Sequence, residues 1–204
     1  AGDTLRVTYS VTPAGSNTPV TSTVNVIISD AHIAAGVVTL ERAAPADGAT
    51  LAASAVVIDI AGQSSPAGTD SLVRDTTTPN GGNAPVVSIA ADANNDGILN
   101  NAELGNATTL SVTASFDPAL VKVGDQVVFT AADGTEVVMT LQAGDISAGF
   151  VTASFPAPAN GQTLSVSAVV QDAAGNTSAS GSDSARVNTV NFGTVAIDIV
   201  ENTN

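Results

Sequence analysis

Cysteine and tryptophan are absent from the 204-residue chain, and lysine occurs once, as Lys122. No disulfide braces the fold and no thiolate is available to a metal. Aromatic residues make up 3% of the chain, with Tyr9 as the single tyrosine, which argues against a sugar-stacking cleft. Lys and Arg number 5 against 19 Asp and Glu, a formal net charge of −14. Such a surface cannot neutralise phosphates, so nucleic acid is excluded as a partner. Long hydrophobic runs are also missing. The run S-A-V-V-I-D-I-A from Ser54 is far short of the roughly 18 residues a spanning helix needs, so no membrane insertion by this segment is expected. No basic stretch leading into an apolar one marks a secretion leader at the N-terminus.

What is present is Val, Ala, Thr and Ser in period-two alternation. From Thr109 the chain reads T-L-S-V-T-A-S-F, and from Thr163 it reads T-L-S-V-S-A-V-V-Q-D. Similar runs cover 5–11, 24–28, 37–40, 50–60, 126–130, 137–141 and 150–155. Branched residues suit a pleated surface, and alternation buries one face while leaving the other wet. Ala-Asp-Gly at 46–48 and 132–134, Ala-Asn-Gly at 159–161 and Ala-Gly-Asn at 174–176 supply the turns. The expectation is an all-β chain of antiparallel sandwiches without helical segments.

An internal repeat organises these strands. With an offset of 113, 22 of the 39 positions in 33–71 are identical to their partners in 146–184. A-P-A-D-G-A-T-L matches A-P-A-N-G-Q-T-L, and S-A-V-V-I-D-I-A-G-Q matches S-A-V-V-Q-D-A-A-G-N. Upstream, A-G-D-T-L-R-V-T at Ala1 matches V-G-D-Q-V-V-F-T at Val123 with an offset of 122. The predicted organisation is a repeat over 1–78 lacking its first two strands, a complete repeat over 83–189, and the start of a further one over 190–204. The segment is expected to come from a longer array, with neighbouring repeats of the same chain as its partners.

One stretch carries metal chemistry. Asp92-Ala-Asn94-Asn-Asp96-Gly97-Ile98-Leu-Asn-Asn-Ala-Glu103 fits D-x-[DN]-x-[DN]-G-x5-E at every specified place. A hard cation of the size of Ca2+ takes six to eight oxygens. Side chains of Asp92, Asn94 and Asp96, the Ile98 carbonyl and a bidentate Glu103 would supply most of them, with Gly97 allowing the sharp turn. Strand-like sequence flanks this loop, so it is not an EF-hand, and at most one helical turn is expected at 100–104. Asp172, in D-A-A-G-N, reads equally as a turn cap or a metal ligand, and with Asp75 of the linker it could complete a junctional site. Its counterpart in the first repeat is Asp59. Asp70 and Asp183 read as solvated edge charges.

Enzyme readings find no support. His32 is the only histidine, in an expected loop, and no nucleophile elbow, phosphate loop or HExxH pattern occurs. The R-D-T-T-T-P linker, the D-A-N-N-D-G-I-L-N-N-A-E loop, the V-G-D-x-V hairpin, A-P-A-[DN]-G-x-T-L and V-x-D-x-A-G-[NQ]-x-S together resemble the Ig-like tandem repeats of giant type I-secreted bacterial surface adhesins of the biofilm-associated and RTX type. The resemblance implies an extracellular, bacterial cell-surface extender, stiffened by calcium, whose cell-surface or matrix ligand is bound by other parts of the parent protein. An Asn-Gly-Gly-Asn insert at 80–83 departs from the pattern and weakens the expectation of a stiff linker. The alternative is a ligand-binding adhesin domain for sugar or protein. Its one candidate surface is the longer loop at 13–23, which lacks aromatics.

Overall fold

Alternating β-branched sequence becomes sheet in all but one of its runs in the computed structural model, which describes residues 1–190 with Gly193, Ala196 and Ile197. The chain divides into two compact units, Ala1–Thr77 and Thr78–Asn204. The expected opening strand of a further repeat, over 190–204, falls largely outside the described residues.

The first unit holds β1 (Thr4–Thr12), β2 (Val20–Ile27), a short helix α1 (Asp30–Ala35), β3 (Thr50–Ile58) and β4 (Gly68–Val73). They form one antiparallel sheet in the order β2-β1-β3-β4. The register sets Val7 between Val24 and Ala55, and Leu5 between Val26 and Val57, so the apolar halves of the alternation share one face. Only Val7 and Ala49 of this unit's hydrophobic residues are buried, while Val20, Val24 and Leu72 stay exposed.

The second unit holds β5 (Val86–Ile89), β6 (Ile98–Leu99), α2 (Asn101–Leu104), β7 (Thr109–Ser115), β8 (Gln126–Ala131), β9 (Glu136–Thr140), α3 (Ala143–Ala148), β10 (Phe150–Pro156), β11 (Thr163–Gln171) and β12 (Gly181–Val187). A three-stranded sheet, β10-β7-β5, lies against a five-stranded one, β6-β12-β11-β8-β9. Between them Val87, Ile89, Leu110, Val112, Val127, Phe129, Phe155, Val166, Val170 and Val187 make one closed core. Phe129 and Phe155 meet edge to face across it, with ring centroids 6.4 Å apart. The β5–β7 and β7–β10 pairs are antiparallel, as are β12–β11, β11–β8 and β8–β9. The unit is an immunoglobulin-like β-sandwich.

Two expectations about local structure are corrected. The run at 37–40 forms no strand, although its counterpart at the same offset is β10. β10 exists by pairing with β7, and the first unit has no equivalent of β7 to complete the ladder. The connections at 30–35 and 143–148 are short helices rather than loops. His32 Nδ1 accepts from the Ser29 N–H at 3.2 Å, and Asp145 accepts from the Gln142 N–H at 2.9 Å in the matching place. The lone histidine thus sits at an exposed helix start, where it serves as a cap.

Candidate metal loop and linker clasps

The acidic loop carries the chain from one sheet of the second unit to the other. It leaves β5, turns over 90–97 and enters β6, which pairs in parallel with the end of β12. Donation from the Arg186 N–H to the Gly97 carbonyl and from the Asn188 N–H to the Leu99 carbonyl, both at 2.9 Å, ties it there. Asp92 is 5% exposed, and its carboxylate accepts from the N–H of Asp96 at 3.1 Å and of Gly97 at 2.9 Å. Gly97 makes this turn with φ of 76°, a conformation that a side chain would strain. Asn94 Oδ1 also accepts from the Asp96 N–H, at 3.1 Å, and Asn94 Nδ2 donates to Asp96 Oδ2 at 3.0 Å. Asp96 Oδ1 accepts from the Ile98 N–H at 2.8 Å.

Asp92, Asn94 and Asp96 are therefore wound into one turn, with Ile98 at the start of β6. Glu103 is placed differently. It lies on α2, the single helical turn expected at this place, and its Oε2 accepts from the Asn100 N–H at 3.1 Å in a capping box. Among the described residues no three His, Cys, Asp or Glu side chains gather at metal-holding distance. The donor set is nonetheless all hard oxygen, carboxylate, amide and carbonyl, which suits Ca2+ and not a soft metal. The negative charge concentrated in the turn is of the sign such a cation would offset.

The other predicted ligands have structural work of their own. Asp172 Oδ1 accepts from the N–H groups of Ala174 and Asn176 at 2.9 and 2.8 Å, and its Oδ2 accepts from Asn176 Nδ2 at 2.9 Å. Desolvation opposes its ionisation, but the Asn176 side chain and these backbone donors outweigh it and hold the carboxyl below the usual range. Asp59 caps the matching turn through Ala61 and Gln63. Asp75 belongs to the first unit and accepts from the Thr77 N–H at 3.0 Å.

Sequence reading missed two features. The first is Asp183, which is not a solvated edge charge. Its Oδ2 accepts the Ile89 N–H at 2.8 Å and so pins β5 of the opposite sheet to β12. Beside it, a Cβ at Gly181 would collide with the Pro85 carbonyl oxygen, so only glycine lets β5 come this close. The second is a clasp on the departing chain of each unit. Asp47 accepts from the Thr76 N–H, from Thr76 Oγ1 at 2.6 Å and from Thr77 Oγ1 at 2.7 Å. Those hydroxyls, Thr76 first, hold its carboxyl below the ordinary aspartate range. At the matching place Asn160 Oδ1 accepts from the Thr189 N–H at 2.8 Å and from Thr189 Oγ1 at 3.2 Å. The signal for both was the Asp or Asn in A-P-A-[DN]-G, with a threonine 29 residues later.

The Asn-Gly-Gly-Asn insert is also held. Pro79–Gly82 forms a 3-10 turn of the second unit, in which Asn80 is 3% exposed. Asn80 Oδ1 accepts from the Asp117 N–H at 2.9 Å, its Nδ2 donates to the Asn83 carbonyl at 2.8 Å, and the Ala179 N–H donates to the Gly82 carbonyl at 3.0 Å.

Strand order and register define the class as an all-β, immunoglobulin-like sandwich protein. No family model matches the chain, and no curated protein matches it. Among solved structures it is similar to the alpha chain of the chicken interferon gamma receptor, at 14% identity and a TM-score of 0.35, over 90% of this chain and 85% of that one. It is similar to the FN1–FN3 domains of chicken CNTN1 at 14% identity and a TM-score of 0.39, over 89% of this chain and 56% of that one. It is also similar to a tetra-tandem repeat in the extending region of a large adhesion protein, at 19% identity and a TM-score of 0.32, over 89% of this chain and 42% of that one. Likenesses this remote carry no functional argument. Among the described residues no helix is long and apolar enough to cross a membrane.

Proposed function

We propose that the chain is a structural extender segment of a bacterial cell-surface adhesin, built from Ig-like repeats and stiffened by Ca2+. The observation that carries this reading is the clasp repeated in both units. Each unit fastens the residues that leave it, Thr76 to Asp47 and Thr189 to Asn160, which is what units meant to work in series require. The linker insert is fastened as well, through Asn80. The composition of the D-A-N-N-D-G loop supports calcium as the stiffening ion, and the set of linker and turn motifs supports the extracellular adhesin class.

Asp92, Asn94, Asp96, the Ile98 carbonyl and Glu103 are the residues that would hold the ion. A bound Ca2+ would supply positive charge to a cluster of carboxylates and tie together backbone that crosses between the two sheets. Asp92 is already oriented by two backbone N–H groups, and Asn94 and Asp96 brace each other. Glu103 would give up its bond to the Asn100 N–H to join them.

Thermal unfolding with calcium and with chelator tests the reading. A ligand that binds only the folded state adds about 1.4 kcal/mol at ten times Kd and about 2.7 kcal/mol at a hundred times. The melting temperature of the second unit should rise by roughly 5–15 °C. Asp96→Ala or Glu103→Ala should remove most of that rise. An unchanged melting curve, or a full response in both variants, would contradict it.

A further inference from the structure

The chain contains two Asn-Gly pairs, Asn80-Gly81 and Asn160-Gly161. In such a pair the glycine nitrogen can attack the asparagine carboxamide, because no Cβ on the glycine crowds the approach. The two pairs are held very differently. Asn80 is 3% exposed, and both ends of its amide are engaged, Oδ1 by the Asp117 N–H and Nδ2 by the Asn83 carbonyl. Asn160 is exposed and, among the described residues, is held through its oxygen alone, by the N–H and the hydroxyl of Thr189. Its neighbour Gly161 donates its N–H to the Val187 carbonyl at 2.8 Å, so both reacting groups are tied to the departing chain at 187–189. The first unit has Asp47-Gly48 in the same place. There a carboxylate already makes the clasp, to Thr76 and Thr77, and the Gly48 N–H donates to the Arg74 carbonyl at 2.7 Å.

We propose that Asn160-Gly161 is a self-modifying site, at which the asparagine deamidates at a rate set by the clasp. The Gly161 nitrogen bonds to Asn160 Cγ, and the Cγ–Nδ2 bond breaks. The proton lost from Gly161 leaves with Nδ2 as ammonia, by way of water. Water then opens the five-membered imide. Cleavage between the Gly161 nitrogen and Cγ leaves aspartate, and cleavage at the main-chain carbonyl carbon leaves isoaspartate. The closed clasp holds the reaction off. The two Thr189 donors polarise the carboxamide, but the nitrogen must first shed its proton, which the bond to the Val187 carbonyl keeps in place. Conversion therefore runs through molecules in which the departing chain has locally opened. The aspartate product regains the clasp in the form that Asp47 shows. Isoaspartate adds a main-chain carbon to a turn closed by the Gln162 N–H on the Ala159 carbonyl at 2.9 Å, and the clasp is lost. The inference depends neither on calcium nor on the extender reading.

Mass spectrometry of the full chain, incubated at neutral pH and physiological temperature beside a synthetic 157–163 peptide, is the test. In denaturant Asn80 and Asn160 should convert at similar rates, as the same dipeptide should. In the folded chain Asn160 should convert about 10- to 1000-fold more slowly than in the peptide, since three bonds each contribute roughly 2- to 10-fold. Asn80 should be slower still. Thr189→Val removes one of the three bonds and should speed conversion at 160 by about 2- to 10-fold. Conversion at 80 should stay unchanged in that variant, which shows that the unit remains folded. Asn160→Asp, standing for the first product, should keep the Thr189 amide slow to exchange. A folded chain that converts at 160 as fast as the peptide would overturn the proposal. So would a Thr189→Val chain that converts no faster than the native one, conversion at Asn80 ahead of Asn160, or an Asn160→Asp chain whose Thr189 amide exchanges freely.

Discussion

The two units share most of their sequence over 39 aligned positions, yet one encloses a core and the other displays a single sheet. Apart from 37–43, which forms no strand where its counterpart is β10, the aligned residues adopt the same strands, turns and clasps in both. Ser65 and Ser178 accept from the N–H of Val57 and Val170, and Asp59 and Asp172 cap the same turn. What differs is the layer opposite. Where β5 and β7 are present, Phe155 lies edge to face with Phe129 inside the core. At the position of Phe155 the first unit has Arg42, whose guanidinium lies over the ring of Tyr9, 4.6 Å from its centroid, and whose Nη1 donates to Ser22 Oγ at 2.8 Å. Local pattern thus suffices to build one sheet, while burial depends on a second sheet to face it.

The sharpest way to break this comparison is to truncate the matched positions. Phe155→Ala should cost the second unit about 3–5 kcal/mol, the range for a large aromatic deleted from a closed core. Arg42→Ala should cost the first unit under about 1 kcal/mol, the worth of an exposed cation–π pair. Differential scanning calorimetry of each variant separates the two values, and equal costs would show that the first unit has a core of its own.

Next in size is the strand pin. Asp183→Ala should destabilise the second unit by about 1–3 kcal/mol, because it leaves the part-buried Ile89 N–H without its acceptor. Asp70→Ala should leave the unfolding of an isolated monomer unchanged within about 0.5 kcal/mol, as expected of an exposed surface site. Chemical denaturation followed by circular dichroism reads both.

The smallest expected effect sharpens the clasp. The Asp47 carboxyl titrates below its ordinary value in the folded chain, so its contribution is complete above that ordinary value and fades as pH falls through the lowered one. Amide exchange at Thr76 should therefore accelerate in strong acid relative to its intrinsic rate, whereas Thr189, held by the neutral Asn160, should show no such added dependence. Parallel profiles for the two threonines would show that the carboxylate does not hold the linker.

Much of this is legible in the sequence. Period two located the strands, the offset of 113 located the repeat, and the D-A-N-N-D-G signature located the turn that gathers Asp92, Asn94 and Asp96. Partnership was not legible. Nothing local in V-V-T-L at 37–40 distinguishes it from β10, because a strand is completed by a neighbour distant in sequence. Asp183 was misread for the same reason, since its partner Ile89 lies 94 residues away. The helices at 30–35 and 143–148 are too short for a periodic signal and rest on caps at Ser29 and Gln142. Glu103 fits the metal pattern by its place eleven residues after Asp92, but its place three residues after Asn100 makes a capping box, and a pattern cannot say which bond the carboxylate makes.

The central claim is that the 92–103 loop of the second unit is where calcium stiffens the chain. Amide nuclear magnetic resonance of the chelated protein, titrated with calcium, tests it residue by residue. The account predicts saturable shifts at Asp96, Gly97, Ile98 and Glu103, slower amide exchange along β6 and the end of β12, and an unmoved first-unit sheet. Saturating calcium that leaves those four amides in place, or that shifts only residues of the first unit, would contradict it.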